Sequence, residues 1–210
     1  MCGIAGYIGK RQFKENKISQ IFSLMRRRGP DSFGFNFIKE KEKKISLFFS
    51  RLSIIDQVKR SNQPFIYKDK VLIFNGEIYN YLELKVKLEH KGYNFRTNSD
   101  TEVLIKVLDC WGENGIKKLE GMWSFFYYNK TKKIGILSRD RFGEKPIFYL
   151  KKNNEFIFGS EIKVINSILD KNLEINVNKL DNFLRLVINR SIKIIIHILR
   201  MLNLFLQDII

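Results

Sequence analysis

The order of strand-like and helix-like segments constrains the fold of this chain more than any other sequence feature. Short runs rich in β-branched and aromatic residues predict strands at 3–8, 33–38, 45–55, 71–74, 122–128, 133–139, 147–151 and 155–158. Apolar residues at helical spacing predict helices at 16–28, 79–90, 101–111, 161–169 and 177–186. Strands therefore come early and late, with the helices between and after them. This order predicts an α+β fold in which antiparallel sheets stack under layers of helices.

A cysteine directly follows the initiator methionine. Cys2 precedes the first predicted strand, and a small second residue favours removal of Met1. Removal would leave a thiol and a free α-amine on one Cα, with ordinary pKa values of about 8.5 and about 7.7–8.0. Because the amine is a base tethered one carbon away, it can take the thiol proton near neutral pH and activate the nucleophile. The alternative is that Cys2 is merely a residue at the start of a buried strand.

The other routes to an activated thiol are poor. His90 stands in a charged helical stretch that we expect to be solvated, and His197 lies in an atypical C-terminal tail. A Cys–His pair or a Ser–His–Asp triad is therefore not favoured. Cys110 lies within a predicted amphipathic helix, where we expect a small buried hydrophobe. The sequence has no CxxC pattern, histidine cluster or acidic triad with metal spacing, so we expect no metal site.

Composition indicates a globular protein with an unusual charge. Hydrophobic residues make up 44% of the 210 residues, which suits one large domain or two small ones, and two cysteines do not suggest a disulfide framework. The formal net charge of +16 raises nucleic-acid binding as a hypothesis. The lysines are scattered, however, without the interleaved aromatic residues of a base-stacking platform. We expect no nucleic-acid partner and, with no signal segment before Cys2, a cytoplasmic location.

Three features of the sequence combine chemical potential with an ordinary structural explanation. Arg51 interrupts an apolar strand, where its guanidinium is either an ordinary strand-edge group or a holder of a carboxylate. Asn75-Gly76 is a common tight-turn pair, and we expect the strand 71–74 to end there. The same pair offers the donor types of an oxyanion hole. Ser99 or Asp100 is a candidate N-cap of the following helix.

Seven motifs follow one another along the chain. They are Cys2-Gly3-Ile4-Ala5-Gly6, Arg28-Gly29-Pro30-Asp31, Arg51-Leu52-Ser53-Ile54-Ile55-Asp56, Phe74-Asn75-Gly76-Glu77-Ile78-Tyr79-Asn80, Ser99-Asp100-Thr101-Glu102, Arg139-Asp140-Arg141-Phe142-Gly143-Glu144-Lys145-Pro146 and Gly159-Ser160-Glu161-Ile162-Lys163. In this order they resemble the glutaminase domain of class II glutamine amidotransferases, which are N-terminal-nucleophile (Ntn) hydrolases. The last two narrow the resemblance to the amino-terminal half of glutamine-hydrolysing asparagine synthetases. The resemblance covers residues 2–187 and implies a four-layer αββα sandwich.

The resemblance also implies roles for individual residues. Cys2 would be the nucleophile, with Asn75 and Gly76 as its oxyanion hole. Arg51 would hold the α-carboxylate of glutamine, and Glu77 and Asp100 its α-ammonium. The implied glutamine-binding residues are Arg51, Leu52, Ser53, Ile54, Ile55, Asn75, Gly76, Glu77 and Asp100.

The implied reaction is hydrolysis of the glutamine side-chain amide to glutamate and ammonia, without a cofactor, in the service of asparagine biosynthesis. ATP and Mg²⁺ belong to the second domain of full-length relatives, which needs a glycine-rich phosphate-binding loop. The last glycine here is Gly159, so we expect no synthetase reaction from this chain alone. A separate synthetase domain or subunit is a candidate partner.

Residues 188–210 form an apolar tail that departs from the family pattern. Lys193, His197, Arg200 and Asp208 interrupt it, whereas a membrane span needs about 20 apolar residues. We expect a truncated or frameshifted linker, the alternative being a partner-binding helix. Three other functions stay open: a catalytically silent fragment or binding module, an amidotransferase that feeds another acceptor, and a basic nucleic-acid binder.

Overall fold

The computed structural model describes residues 2–52, 62–173 and 177–179. The strands in these ranges are β1 (Gly3–Gly9), β2 (Ser32–Lys39), β3 (Lys44–Arg51), β4 (Phe65–Tyr67), β5 (Lys70–Ile78), β6 (Gly121–Asn129), β7 (Ile134–Arg139), β8 (Phe148–Lys152) and β9 (Glu155–Gly159). The helices are α1 (Glu15–Met25), α2 (Tyr81–Glu89), α3 (Asp100–Trp111) and α4 (Ile162–Leu169), and a 3-10 helix (Gly112–Lys118) follows α3.

The strands form two antiparallel sheets. The first sheet has the order β2-β3-β1-β9-β8 and the second the order β4-β5-β6-β7. Helices α1 and α4 pack on the outer face of the first sheet, and α3 with α2 on the outer face of the second. A third apolar cluster fills the space between the sheets. The predicted α+β class and the four-layer αββα arrangement are therefore confirmed.

The position of β3 explains why its sequence lacks the alternation of apolar and polar residues that is typical of a half-exposed strand. Ile45, Leu47 and Phe49 belong to the cluster between the sheets, whereas Phe48 lies in the cluster under α1 and α4. Both faces of β3 are therefore covered, which removes the polar positions that a half-exposed strand would show. The strand ends at Arg51. Residues 53–55 of the predicted strand lie outside the described ranges.

The prediction that a strand ends in a tight turn at Asn75-Gly76 is wrong. Strand β5 continues to Ile78, with Asn75 opposite Ser124 and Gly76 opposite Trp123 of β6. The glycine is needed for close approach instead. A Cβ on Gly76 would lie 2.1 Å from the main-chain oxygen of Met122. Pairing with β6 thus overrides the local turn preference of the pair.

Two predictions reach beyond the described part of the chain. The helix predicted at 177–186 is described only at 177–179, where it is helical. The predicted domain boundary at 187 and the tail 188–210 lie outside the described ranges and stay predictions. None of the helices within those ranges is long and apolar enough to cross a membrane.

A glycine lets an aromatic ring join the two sheets. Gly6 of β1 pairs with Phe158 of β9, and the ring of Phe158 lies over the glycine. The same ring packs against Phe126 of the opposite sheet, with ring centroids 4.8 Å apart. A Cβ on Gly6 would lie 2.2 Å from Cζ of Phe158, so any larger residue has to displace a ring that fills the inter-sheet core.

Gly6→Ala is expected to lower the free energy of unfolding by about 1–3 kcal/mol, the usual effect of overpacking a core. Urea denaturation measures the change. Gly159→Ala is the matched control, because a Cβ there would have its nearest neighbour at 3.5 Å, and it should change stability by less than about 1 kcal/mol. Equal stabilities of the two variants would contradict the assignment of Gly6 as the space that Phe158 occupies.

Candidate active site

The pairing of β1 with β3 brings Cys2 beside the end of β3. Gly3 lies opposite Ser50, so the residue before β1 reaches the residues after Ser50. The Cys2 thiol donates to the Leu52 carbonyl at 3.5 Å, and the Leu52 N–H donates to the same sulfur at 3.4 Å. Arg28 Nε donates to the Cys2 main-chain oxygen at 3.0 Å. The half-buried thiol is thus held by Leu52, and the main chain of Cys2 by Arg28.

Burial raises the pKa of the Cys2 thiol above its ordinary value, with a backbone hydrogen bond from Leu52 opposing the effect in part. A raised pKa leaves little thiolate at neutral pH, so the thiol needs a base to become a nucleophile. The described histidine, His90, is exposed at the end of α2, away from the start of β1. A base for the thiol therefore has to come from elsewhere.

Asn75 faces the inter-sheet space near the thiol. It lies on the same face of β5 as Val71 and Ile73, which belong to the inter-sheet cluster. Its side chain is 2% exposed, and its Nδ2 has no hydrogen-bond partner among the described residues. An unpaired buried donor destabilises a fold by about 1–3 kcal/mol, so such groups are rare without a function. The Asn75 amide can donate to an acceptor bound next to Cys2.

Asp100 and Glu77 supply negative charge. Asp100 is the first residue of α3, but Ser99 is its N-cap, since the Ser99 hydroxyl accepts from Thr101 N–H at 3.2 Å. The alternative that Asp100 is the cap is therefore wrong. Its Oδ2 accepts from the Ile78 N–H at 3.1 Å instead. The pKa of Asp100 is raised to about 6, mainly by burial and in smaller part by the charge of Glu77, against hydrogen bonds from Ile78 and Thr101 that lower it.

Arg51 is the last residue of β3 and is 6% exposed. Its Nη1 donates to Asn62 Oδ1 at 2.5 Å, which orients the guanidinium. All predicted site residues within the described ranges line one cavity: Cys2, Arg51, Leu52, Asn75, Gly76, Glu77 and Asp100. The predicted residues Ser53, Ile54 and Ile55 lie outside the described ranges. The roles proposed for individual residues stay predictions.

Six residues without a predicted role in catalysis or glutamine binding line the same cavity: Phe49, Gln63, Phe74, Ser99, Thr101 and Lys145. Four of them belong to the seven sequence motifs, and this membership could have indicated that they lie at the site: Phe74, Ser99, Thr101 and Lys145. Gln63 carries no such signal. Its place depends on a contact between segments that no local pattern encodes.

The motif 139–146 is built around one carboxylate. Oδ1 of Asp140 accepts from the N–H groups of Phe142 and Glu144, and Oδ2 accepts from those of Lys145 and Trp123. The donor distances run from 2.9 to 3.3 Å. Asp140 thereby ties the loop to β6 and sets Lys145 at the edge of the cavity. Within the described ranges, no group of three or more His, Cys, Asp and Glu side chains is arranged to hold a metal ion.

Comparison with known families agrees with this geometry. A family model described as "Glutamine amidotransferase domain" matches residues 1–204. The chain belongs to this family. It is a class II glutamine amidotransferase domain, homologous to the N-terminal part of asparagine synthetases.

The relatives of this amidotransferase domain are longer proteins. A putative asparagine synthetase [glutamine-hydrolyzing] 2 of Methanocaldococcus jannaschii is 38% identical, over 85% of this chain and 38% of its own length. Asparagine synthetase [glutamine-hydrolyzing] 1 of Bacillus subtilis is also 38% identical, over 88% of this chain and 29% of its own length. The chain thus spans about a third of the length of the curated relatives it matches.

Two solved structures share the fold. The glutamine phosphoribosylpyrophosphate amidotransferase of B. subtilis superposes with a TM-score of 0.64 at 20% identity, over 80% of this chain and 43% of that one. A structure described as the allosteric regulatory enzyme of purine biosynthesis has the same TM-score and coverage at 18% identity. At these identities the likeness concerns the fold alone.

The raised pKa of Asp100 gives a prediction about stability. The folded chain keeps a proton on Asp100 that the unfolded chain releases above about pH 4. Stability from this group is therefore present below about pH 4 and is lost as the pH rises through about 6. Asp100→Asn should raise the free energy of unfolding at pH 8 by up to about 3 kcal/mol, and by much less at pH 4.

Urea denaturation at both pH values measures the difference. Glu113→Gln, at an exposed position of the 3-10 helix, controls for removing one negative charge from a basic chain. An Asp100→Asn variant that is less stable than the unsubstituted protein at pH 8 would show that the buried carboxylate is stabilised by its surroundings, contrary to this prediction.

Proposed function

We propose that this amidotransferase domain hydrolyses glutamine to glutamate and ammonia through a thioester on Cys2. The observation that carries the proposal is the buried amide nitrogen of Asn75, which has no hydrogen-bond partner among the described residues and lies in the same cavity as the Cys2 thiol. A buried donor without a partner in the described part of the chain suits a charge that exists only during the reaction. The amide oxygen of glutamine acquires that charge when the thiolate attacks.

The charged residues of the cavity match the main-chain groups of a free amino acid. The Arg51 guanidinium, oriented by Asn62, can form two parallel hydrogen bonds with the α-carboxylate. Asp100 and Glu77 are like charges whose mutual repulsion contributes to the raised pKa of Asp100. An α-ammonium group between them relieves this repulsion and favours the ionised form of Asp100.

The chemistry proceeds in two half-reactions. Once Met1 is removed, the α-amine of Cys2 takes the thiol proton, and the thiolate attacks the amide carbon of glutamine. Nδ2 of Asn75 and the N–H of Gly76 stabilise the tetrahedral oxyanion. The protonated amine donates its proton to the leaving nitrogen, which departs as ammonia and leaves a γ-glutamyl thioester. Water, deprotonated by the same amine, then attacks the thioester, and glutamate leaves as the thiol is restored.

This reaction uses only protein groups and water, so we propose that the glutaminase step needs no cofactor. The asparagine synthetase relatives support asparagine biosynthesis as the use of the ammonia. The chain spans about a third of their length, so we propose that a synthetase domain or subunit, which would use ATP and Mg²⁺, receives the ammonia. We propose a cytoplasmic location for this metabolism.

Alkylation tests the nucleophile. A diazoketone analogue of glutamine should leave one adduct on a chain that has lost Met1, as measured by intact-mass spectrometry. Cys2→Ala should carry no adduct, and Cys110→Ala should carry one, because Cys110 lies partly buried on α3. A folded, Met1-free chain that takes no adduct would overturn the proposal and leave a silent fragment or a binding module.

Asn75→Ala tests the oxyanion hole. Losing one such donor removes about 2.7–4 kcal/mol of transition-state stabilisation, so kcat for glutamine hydrolysis should fall by about 10²–10³. KM should change little, because the donor acts on the oxyanion and not on the bound amide. Since the substitution removes an unpaired buried group, unfolding in urea should show no loss of stability beyond that of a small cavity. A fall in kcat of less than about tenfold would exclude Asn75 from this role.

A further inference from the structure

Gln63 lies where β5 loses its neighbour in the second sheet. Strand β4 pairs with β5 only from Phe65 opposite Leu72 to Tyr67 opposite Lys70. Continuing this register backwards by two residues brings Gln63 opposite Phe74. There the backbone groups of β5 still need partners, because buried N–H and C=O groups are almost always paired.

The side chain of Gln63 takes over the pairing at this point. Its Oε1 accepts from the Phe74 N–H at 2.6 Å, and its Nε2 donates to the Phe74 carbonyl at 3.1 Å. One amide thus supplies both bonds that a neighbouring strand would make. Nε2 also lies 3.4 Å from the Thr101 hydroxyl, at the start of α3 next to Asp100. Gln63 therefore joins β5 to the helix that presents Asp100.

The main chain at Gln63 is fixed against the first sheet. A Cβ on Gly34 of β2 would lie 1.8 Å from the Gln63 carbonyl oxygen and 2.8 Å from Cδ of Pro64. Only glycine permits this approach. The preceding residue, Asn62, accepts the hydrogen bond from Arg51 described above. The main chain of Gln63 therefore lies against the first sheet, next to which Cys2 and Arg51 are placed. Its side chain bonds to β5 of the second sheet, which carries Asn75.

We propose that Gln63 is a positioning residue that holds the oxyanion donor Asn75 in register with the Cys2 thiol. This inference rests on the proposed glutaminase function. The two hydrogen bonds from the Gln63 amide, here called the Gln63 clamp, fix the N–H and the carbonyl of Phe74, the residue immediately before Asn75. Without these bonds, the N–H and carbonyl of Phe74 need other hydrogen-bond partners. We expect the backbone to shift to reach them and to displace the Asn75 amide. A displacement of about 1 Å in a catalytic group can lower a rate by about 10².

A double-mutant cycle tests the coupling. Gln63→Met keeps the side-chain length and removes all three hydrogen bonds. We expect it to lower kcat for glutamine about 10–100-fold in the protein with Asn75, and less than about threefold in the Asn75→Ala background. KM for glutamine should change less than kcat. Equal losses of kcat in the two backgrounds would overturn the proposal, because Gln63 would then act independently of Asn75.

Asn80→Leu is the matched control. The Asn80 side chain is also an amide that clamps a backbone segment, with Nδ2 donating to the Lys118 carbonyl at 2.9 Å and Oδ1 accepting from the Glu120 N–H at 3.1 Å. It lies outside the cavity. We expect kcat of Asn80→Leu to stay within about twofold of the unsubstituted protein. If Gln63→Met does not fold, Gln63→Glu replaces it in the cycle, since it keeps the acceptor for Phe74 and removes only the donor.

Hydrogen exchange of the Phe74 amide measures the hydrogen bond from Phe74 to Gln63 independently of glutaminase activity. Protection of the Phe74 amide should fall at least about tenfold in Gln63→Met relative to Asn80→Leu, and should be kept in Gln63→Glu, which retains the acceptor for this N–H. A chain that fails to hydrolyse glutamine but shows this fall would refute the proposed function and support the positioning of Asn75. Unchanged protection of the Phe74 amide in Gln63→Met would overturn the positioning proposal whatever the activity.

Discussion

The site depends on the apolar contact between the two sheets. Cys2 directly precedes β1 and Arg51 ends β3, both of the first sheet, whereas Asn75 belongs to the second, so no single element carries the reaction. What aligns them is the packing of inward-facing side chains, with Phe158 against Phe126 as one direct contact across the gap. Close-packed interiors transmit small shifts, so a change in this packing alters the distance between thiol and amide.

The residues proposed for catalysis weaken the fold that holds them. Asn75 buries a donor that finds no partner within the described ranges, and Asp100 carries a carboxyl that burial drives toward its neutral form. Both features are unfavourable in the empty protein and become favourable when an oxyanion or an ammonium group binds. Around them lie fully satisfied groups, such as Asp140 with its four N–H donors and Gln63 on Phe74. Unsatisfied groups are thus held in place by satisfied ones, which suits a preorganised site.

Much of the fold could be predicted because local sequence patterns indicate most of its strands and helices. Short apolar runs between polar turns gave the strands, and Ser99 before an amphipathic run gave a helix start. The prediction went wrong at Asn75-Gly76, whose turn preference is real but weaker than nine residues of pairing with β6. Gln63 was missed for the same reason. Its partners Phe74 and Thr101 are brought to it by the sheet and by α3, so nothing near Gln63 in the sequence indicates them.

The sequence by itself determined the residue types of the site and the α+β class, because nucleophile, arginine, amide and carboxylates stand in recognisable motifs and periodicity is a local property. Only the tertiary structure decided how these residues meet. The β1–β3 register sets Cys2 beside Leu52, and the exposure of each side chain sets its pKa and its free hydrogen-bonding capacity. These are properties of contacts between distant segments, and a linear pattern does not contain the distances on which they depend.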